Sequence, residues 1–185
     1  MFRLFFLIAL LQFNQPVFST EDTVSQAVAR YLTRIHKYME DEDWINAKRE
    51  LEVTARRYFK NEDSYERALI NQLYGQFYAL QRDYKNAIPW FEKAVAKGRL
   101  PFAADLQVSY SLAQCYFQTG RYKDVISTLE NYRDKASKRG QNMAPIQLML
   151  LGIAYYQEQD TLNAYLNIAE ANATATTVSY THLRA

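Results

Sequence analysis

From residue 24 to residue 173 the chain alternates between stretches rich in apolar residues and short polar turns, and within each stretch the apolar positions fall three or four apart. That spacing draws one face of an α-helix. One stretch carries Gly75, Tyr78, Tyr84, Ala87, Phe91 and Ala94, at intervals of 3, 6, 3, 4 and 3 residues. The order returns at Ala113, Tyr116, Tyr122, Val125, Leu129 and Tyr132, and again at Gly152, Tyr155, Thr161, Ala164, Ile168 and Ala171. A weaker copy runs Ile35, Tyr38, Trp44, Ala47, Leu51 and Thr54. Their leading positions, 35, 75, 113 and 152, lie 40, 38 and 39 residues apart. A period of this size marks stacked supersecondary units.

Each copy is divided by a polar turn: Glu40-Asp41-Glu42-Asp43, Gln81-Arg82-Asp83, Gln118-Thr119-Gly120-Arg121 and Gln157-Glu158-Gln159-Asp160. Each unit is therefore a helix hairpin, in which small residues let the two helices approach and rings fill the space around the contact. The expected fold is all-α, an α-solenoid of about four helix hairpins with units at about 28–60, 68–101, 106–138 and 145–173. Lys97 to Asp105 and Lys135 to Pro145 read as lengthened loops between units. Beyond Ala173 the helical pattern dissolves into Thr174-Ala175-Thr176-Thr177. The last unit has no polar capping helix after it, so an exposed apolar face around Leu162, Leu166 and Ile168 is expected, with a tendency to self-associate.

The small–ring–small order of Gly75, Tyr78, Ala87, Phe91 and Ala94, repeated in part at Ala113 and Tyr116 and at Gly152, Tyr155 and Ala164, resembles the tetratricopeptide repeat (TPR). The departures are Ile35 in place of a small residue, bulky Val125 and Tyr132, and a period longer than the family's usual 34 residues. The resemblance implies a solenoid whose concave face binds a segment of another protein. It also implies which residues line that face: Ala29, Leu32, His36 and Met39, then Leu69, Gln72, Gln76 and Ala79, then Gln107, Tyr110, Gln114 and Phe117, then Ile146, Met149, Ile153 and Tyr156. The candidate binding residues are Gln72, Gln76, Gln107, Tyr110, Gln114, Phe117, Met149 and Tyr156. Glutamine amides can serve a peptide backbone without demanding charge, and the rings supply contact area at low entropic cost. Relatives that grip a chaperone's terminal carboxylate use Lys, Asn and Arg on this face, and none stands here.

Within the family, Tyr65 to Pro101 and Leu106 to Tyr132 are similar to the TPR proteins found alongside TonB energy-transduction systems, through Gly98-Arg99-Leu100-Pro101, Ser111-Leu112-Ala113-Gln114 and the long spacing. This implies an accessory role in TonB-dependent transport, with TonB, ExbB and ExbD as partners. The alternative is a substrate-recognition or regulatory module of a longer envelope enzyme or assembly factor.

The two ends are different in kind. Residues 1–19 place one basic residue, Arg3, before an apolar run from Leu4 to Leu11 and a polar stretch ending at Ser19, the pattern of a secretory signal peptide. The expectation is export across the inner membrane to the periplasm, with no stable membrane insertion after cleavage, because the run is shorter than the roughly 20 residues a spanning helix needs. The last eight residues, Val178 to Ala185, resemble a translated linker and are read as a non-native tail.

Charge and composition narrow the function further. Lys and Arg number 22 against 20 Asp and Glu, and Arg3 and Arg184 in the two ends account for the net +2. So balanced a chain is no nucleic-acid binder. A single cysteine excludes an internal disulfide and a cysteine-rich zinc site. Cys115 reads as a small buried hydrophobe, and His36 lacks a second His or Cys at ligand spacing, so no metal or cofactor is expected. Arg56, Arg57 and Lys60, and Lys135, Lys138 and Arg139, are interleaved with acids and read as solvated faces. With no phosphate loop, nucleophile elbow or carboxylate pair in view, the chain is not expected to be an enzyme.

Overall fold

A computed structural model describes residues 26–58 and 63–182, and among these the regular structure is entirely helical. Four hairpins follow one another: α1 (Gln26–Glu40) with α2 (Trp44–Tyr58), α3 (Tyr65–Leu80) with α4 (Tyr84–Val95), α5 (Phe102–Gln118) with α6 (Tyr122–Ser137), and α7 (Pro145–Gln157) with α8 (Thr161–His182). Each helix packs on the one before and the one after it, and α5 also touches α7. This is the neighbour-only packing of an α-solenoid, as the period predicts.

The small residues stand where the helices of a hairpin meet. A Cβ on Gly75 would lie 2.5 Å from Cδ1 of Phe91, so α3 rests directly on that ring. At Gly152 a Cβ would lie 2.7 Å from Cγ1 of Ile168 and 3.2 Å from the Ala164 carbonyl oxygen. Ala113 and Leu129, and Ile35 and Leu51, hold the corresponding positions of the third and first units and are fully buried.

The turns inside the hairpins share one construction. Glu42, Arg82, Gly120 and Gln159 take left-handed backbone conformations with φ of 55°, 62°, 74° and 65°, and the second helix begins just after. In three turns the residue that follows is an aspartate, which accepts both the backbone N–H and the side-chain amide of an asparagine three positions on. The amide bonds are 2.6 Å for Asp43–Asn46 and 2.7 Å for both Asp83–Asn86 and Asp160–Asn163. In the third unit the polarity is exchanged: Arg121 Nε donates to Asp124 at 2.7 Å. The backbone N–H bonds of Asn46, Asn86 and Asn163 to these aspartates satisfy donors that a helix start leaves unpaired.

Units are joined by hydrogen bonds from one hairpin's second helix to the next hairpin's first. The Tyr116 hydroxyl donates to Glu92 at 2.6 Å, and the Tyr155 hydroxyl donates to Glu130 at 3.1 Å. Apolar burial follows the same joints but falls into two clusters. A small one holds Ile35, Met39, Ala47, Leu51, Ile70, Leu73, Tyr74 and Phe77 between α1, α2 and α3. A larger one runs continuously from Ala68 to Ala171.

Three expectations are corrected. The helical pattern does not end at Ala173, because α8 continues to His182: the Thr174 hydroxyl donates back to the Glu170 carbonyl at 2.8 Å and rides on the helix instead of breaking it. The connections are shorter than expected, since Phe102–Asp105 already forms the first turn of α5 and Lys135–Ser137 the last turn of α6. Leu100 and Met143, inside those loops, are buried in the core. Ile168 is not part of an exposed face, being packed against Gly152, and Tyr165 takes its place beside Leu162 and Leu166. The signal segment 1–19, Lys60 and residues 183–185 of the tail lie outside the described residues.

Candidate protein-binding groove

The first helices of the hairpins, α1, α3, α5 and α7, carry the residues assigned to the inner face, and that face changes character along the solenoid. At the amino-terminal end it is the more closed, with Ala29, Leu32, His36 and Leu69 only half-buried. Met39 and Ala79 are buried, and so are Gln72 and Gln76, at 8% and 4% exposure. Gln76 lies beside His36 of the preceding unit, while the Gln72 Oε1 is buried with no hydrogen-bond partner in the protein. These two glutamines therefore form the floor between α1 and α3, a correction to the expectation that they stand open to a ligand. The physical reason is local: His36 sits beside the Gln76 amide that a groove would otherwise present.

Towards the carboxy-terminal end the face opens. Gln107, Tyr110, Gln114 and Phe117 on α5 are half-buried, as is Met149 on α7, whereas Ile146 is exposed and Tyr156 is 66% exposed. Tyr110 and Gln114 lie one turn apart, and the Phe117 ring meets Tyr122 edge to face at 5.6 Å. The rings are thus held in place before any ligand arrives, which reduces the entropy lost on binding.

The electrostatics of this face are those of neutral groups. Burial pushes the His36 imidazole below its ordinary value, against the opposing pull of Glu40, so it favours the neutral form. Desolvation pushes the Tyr110 phenol up to about 12, with Gln114 working against it, so it stays a hydroxyl. Behind the face, burial drives the Cys115 thiol up to about 12, which leaves a small apolar side chain with no nucleophilic character. Among the described residues no group of three or more His, Cys, Asp or Glu is placed to hold a metal ion, and no helix is long and apolar enough to cross a membrane. The asparagine partners of the turn aspartates escaped the reading of the sequence, although the Asp-x-x-Asn spacing at 43/46, 83/86 and 160/163 was there to find.

The hairpins, the small-residue contacts and the row of first helices define a TPR-like α-solenoid, and comparison with known proteins gives the same fold. The family model described as anaphase-promoting complex, cyclosome, subunit 3 matches residues 80–142, from the end of α3 to the loop after α6. The crystal structure of BtubC (BKLC) from P. vanneervenii superposes with a TM-score of 0.69 at 17% identity over 82% of this chain. The chain spans 64% of BtubC. A putative kinesin light chain from Podosopora anserina, with nearly identical TPR-like repeats, gives a TM-score of 0.67 at 15% identity, covering 94% of this chain and 84% of that one. No curated protein matches the sequence.

Proposed function

We propose that this chain is a protein-interaction scaffold that holds an uncharged segment of a partner protein against α5 and α7. The observation that carries the proposal is the half-open face of Gln107, Tyr110, Gln114, Phe117, Met149 and Tyr156, which combines amides and pre-placed rings with no charge. Amides of this kind serve a partner's backbone N–H and C=O groups, and the rings supply apolar contact. Gln72 and Gln76 act as the floor that fixes α1 against α3.

The same proposal extends to place and partner. The chain works in the periplasm, exported by residues 1–19, as an accessory of a TonB-dependent transport system that contacts TonB, ExbB or ExbD. Its support is the amino-terminal pattern of residues 1–19 and the similarity of Tyr65 to Pro101 and Leu106 to Tyr132 to TPR proteins of those systems.

Calorimetric titration of the chain into a purified TonB–ExbB–ExbD complex tests both levels. Saturable binding that weakens at least about tenfold in Gln107→Lys/Gln114→Lys is expected, since two buried charges would face an uncharged ligand. No heat of binding sinks the TonB partner. A library of unstructured peptides then tests the groove by itself: selection of chiefly charged peptides, or binding indifferent to the double substitution, overturns the uncharged groove.

A further inference from the structure

Beside the second helices, one place recurs at each joint between hairpins and is filled differently each time. In the second unit it holds rings: Trp90 of α4 stacks on Tyr74 of α3 at 4.3 Å, and the Lys93 ammonium stands 4.7 Å from the Trp90 ring centre. In the fourth unit it holds a guanidinium: Arg133 of α6 donates to Asn167 of α8 and lies 3.7 Å from Glu170. Register carries Trp90 and Asn167 onto Thr128, Lys93 and Glu170 onto Asn131, Tyr74 onto Leu112, and Arg133 onto Val95. The third unit therefore has neither the ring pair nor the guanidinium. Here the joint keeps a cavity of about 230 Å³, with Val95 and Leu112 as its apolar lining and Ser109, Thr128, Asn131 and Lys135 as its polar one. Asn131 is exposed, so the cavity is reached from solvent.

The comparison also says what the cavity takes. Sites for whole small molecules run to roughly 300–1,000 Å³, and both neighbouring joints fill this place with single side chains, so the occupant is of side-chain size. A ring would meet hydroxyls, an amide and an ammonium, with Leu112 in place of the tyrosine it could stack on. A cation would lack the carboxylate that Glu170 supplies, because Asn131 stands there, and would face Lys135 where the fourth unit has Thr174. An anion is opposed as well. The Lys135 ammonium lies 2.6 Å from Asp105 Oδ2, and Asp105 is 6% exposed with its other oxygen unpartnered. Drawing Lys135 away would strand a buried carboxylate. What remains is a neutral group that both donates and accepts, and the carboxamide is the planar side-chain group that does so.

We infer that the cavity among α4, α5 and α6 is a second binding site, which takes the side-chain carboxamide of a glutamine or asparagine from the partner protein. The inference rests on the chain being a protein-interaction scaffold, and it adds a contact outside the groove. Ser109 and Leu112 lie on the side of α5 away from Tyr110 and Gln114, so the two sites are filled independently.

Chemical-shift titration of the whole chain with the capped tripeptide acetyl-Gly-Gln-Gly-amide, and with its Glu, Arg and Phe counterparts, is the direct test. The glutamine peptide should move the backbone resonances of Ser109, Thr128 and Asn131 with a Kd of about 1–10 mM, and the other three should bind at least about tenfold more weakly. Thr128→Trp, which installs the ring of the second unit, should abolish those shifts. Asn131→Glu, which installs the carboxylate of the fourth unit at an exposed position, should transfer the preference to the arginine peptide. No shift at the three residues, a parent preference for a charged or aromatic peptide, binding that survives Thr128→Trp, or a preference that Asn131→Glu leaves unchanged each overturns the inference. Shifts confined to Tyr110 and Gln114 would overturn it too, and would leave the groove standing.

Discussion

The first and second hairpins solve one packing problem with different residues. In the second, Gly75 lets α3 settle onto the Phe91 ring; in the first, Ile35 and Leu51 meet at the same positions, and both are fully buried. The consequence is graded through the molecule. The two glycine hairpins, α3 with α4 and α7 with α8, have the most extensive contact, the alanine hairpin of α5 and α6 comes next, and the isoleucine hairpin of α1 and α2 has the least. Side-chain volume at one position sets how closely two helices approach. The wide hairpin also forms a separate, smaller core with α3, while the three closer hairpins share a continuous one.

The sharpest way to break this comparison is to give the first hairpin a smaller residue. Ile35→Ala should not convert it into a close hairpin, because Leu51 and the surrounding helices are already placed for the larger side chain; a cavity results, costing about 3 kcal/mol. Chemical denaturation should show it as a lower midpoint with an unchanged slope, and a stability equal to the parent's would mean that α1 had moved in. The opposite substitution, Gly75→Leu, forces α3 off Phe91 and should cost on the order of 2 kcal/mol by overpacking, roughly 4–8 °C in Tm. An unchanged Tm would refute the register of the second hairpin.

Smaller effects sharpen the same picture. Tyr155→Phe removes the hydroxyl that joins Glu130 to α7 and should cost about 1 kcal/mol, with Tyr116→Phe acting similarly at Glu92; the two together should be additive in a double-variant comparison, since they lie in different joints. The smallest effect concerns acid. His36 titrates below its unfolded value when folded, so the unfolded chain takes up the proton first: stability is full above the unfolded value near 6.5 and declines as pH falls through it. His36→Gln should remove that decline between about pH 7 and pH 5 in a thermal melt series. The turn aspartates Asp43 and Asp160, held below the usual carboxylate range by their asparagines, act in the same sense but at lower pH, and should leave that window unaffected.

Most of the fold was legible in the sequence because it is locally encoded. A face at 3.6-residue spacing, a small residue opposite a large one, and a short polar turn each work within a few dozen residues, and their repetition located all four hairpins. The candidate face was legible by register only: Tyr110 and Gln114 are half-buried and Tyr156 is exposed, but nothing in their spacing tells a half-open position from a closed one.

The sequence by itself determined the helices, the hairpin pairing and the neutrality of the inner face, since those follow from periodicity, turn chemistry and residue type. Only the tertiary structure decided that Gln72 and Gln76 are floor and not opening, because the group beside Gln76 is His36, forty residues away in the preceding unit. It likewise decided that α8 runs on through its threonines and that Tyr165, in place of Ile168, joins Leu162 and Leu166 on the exposed face. Burial is a property of what a neighbouring unit leaves uncovered, and a residue's own sequence surroundings do not record it.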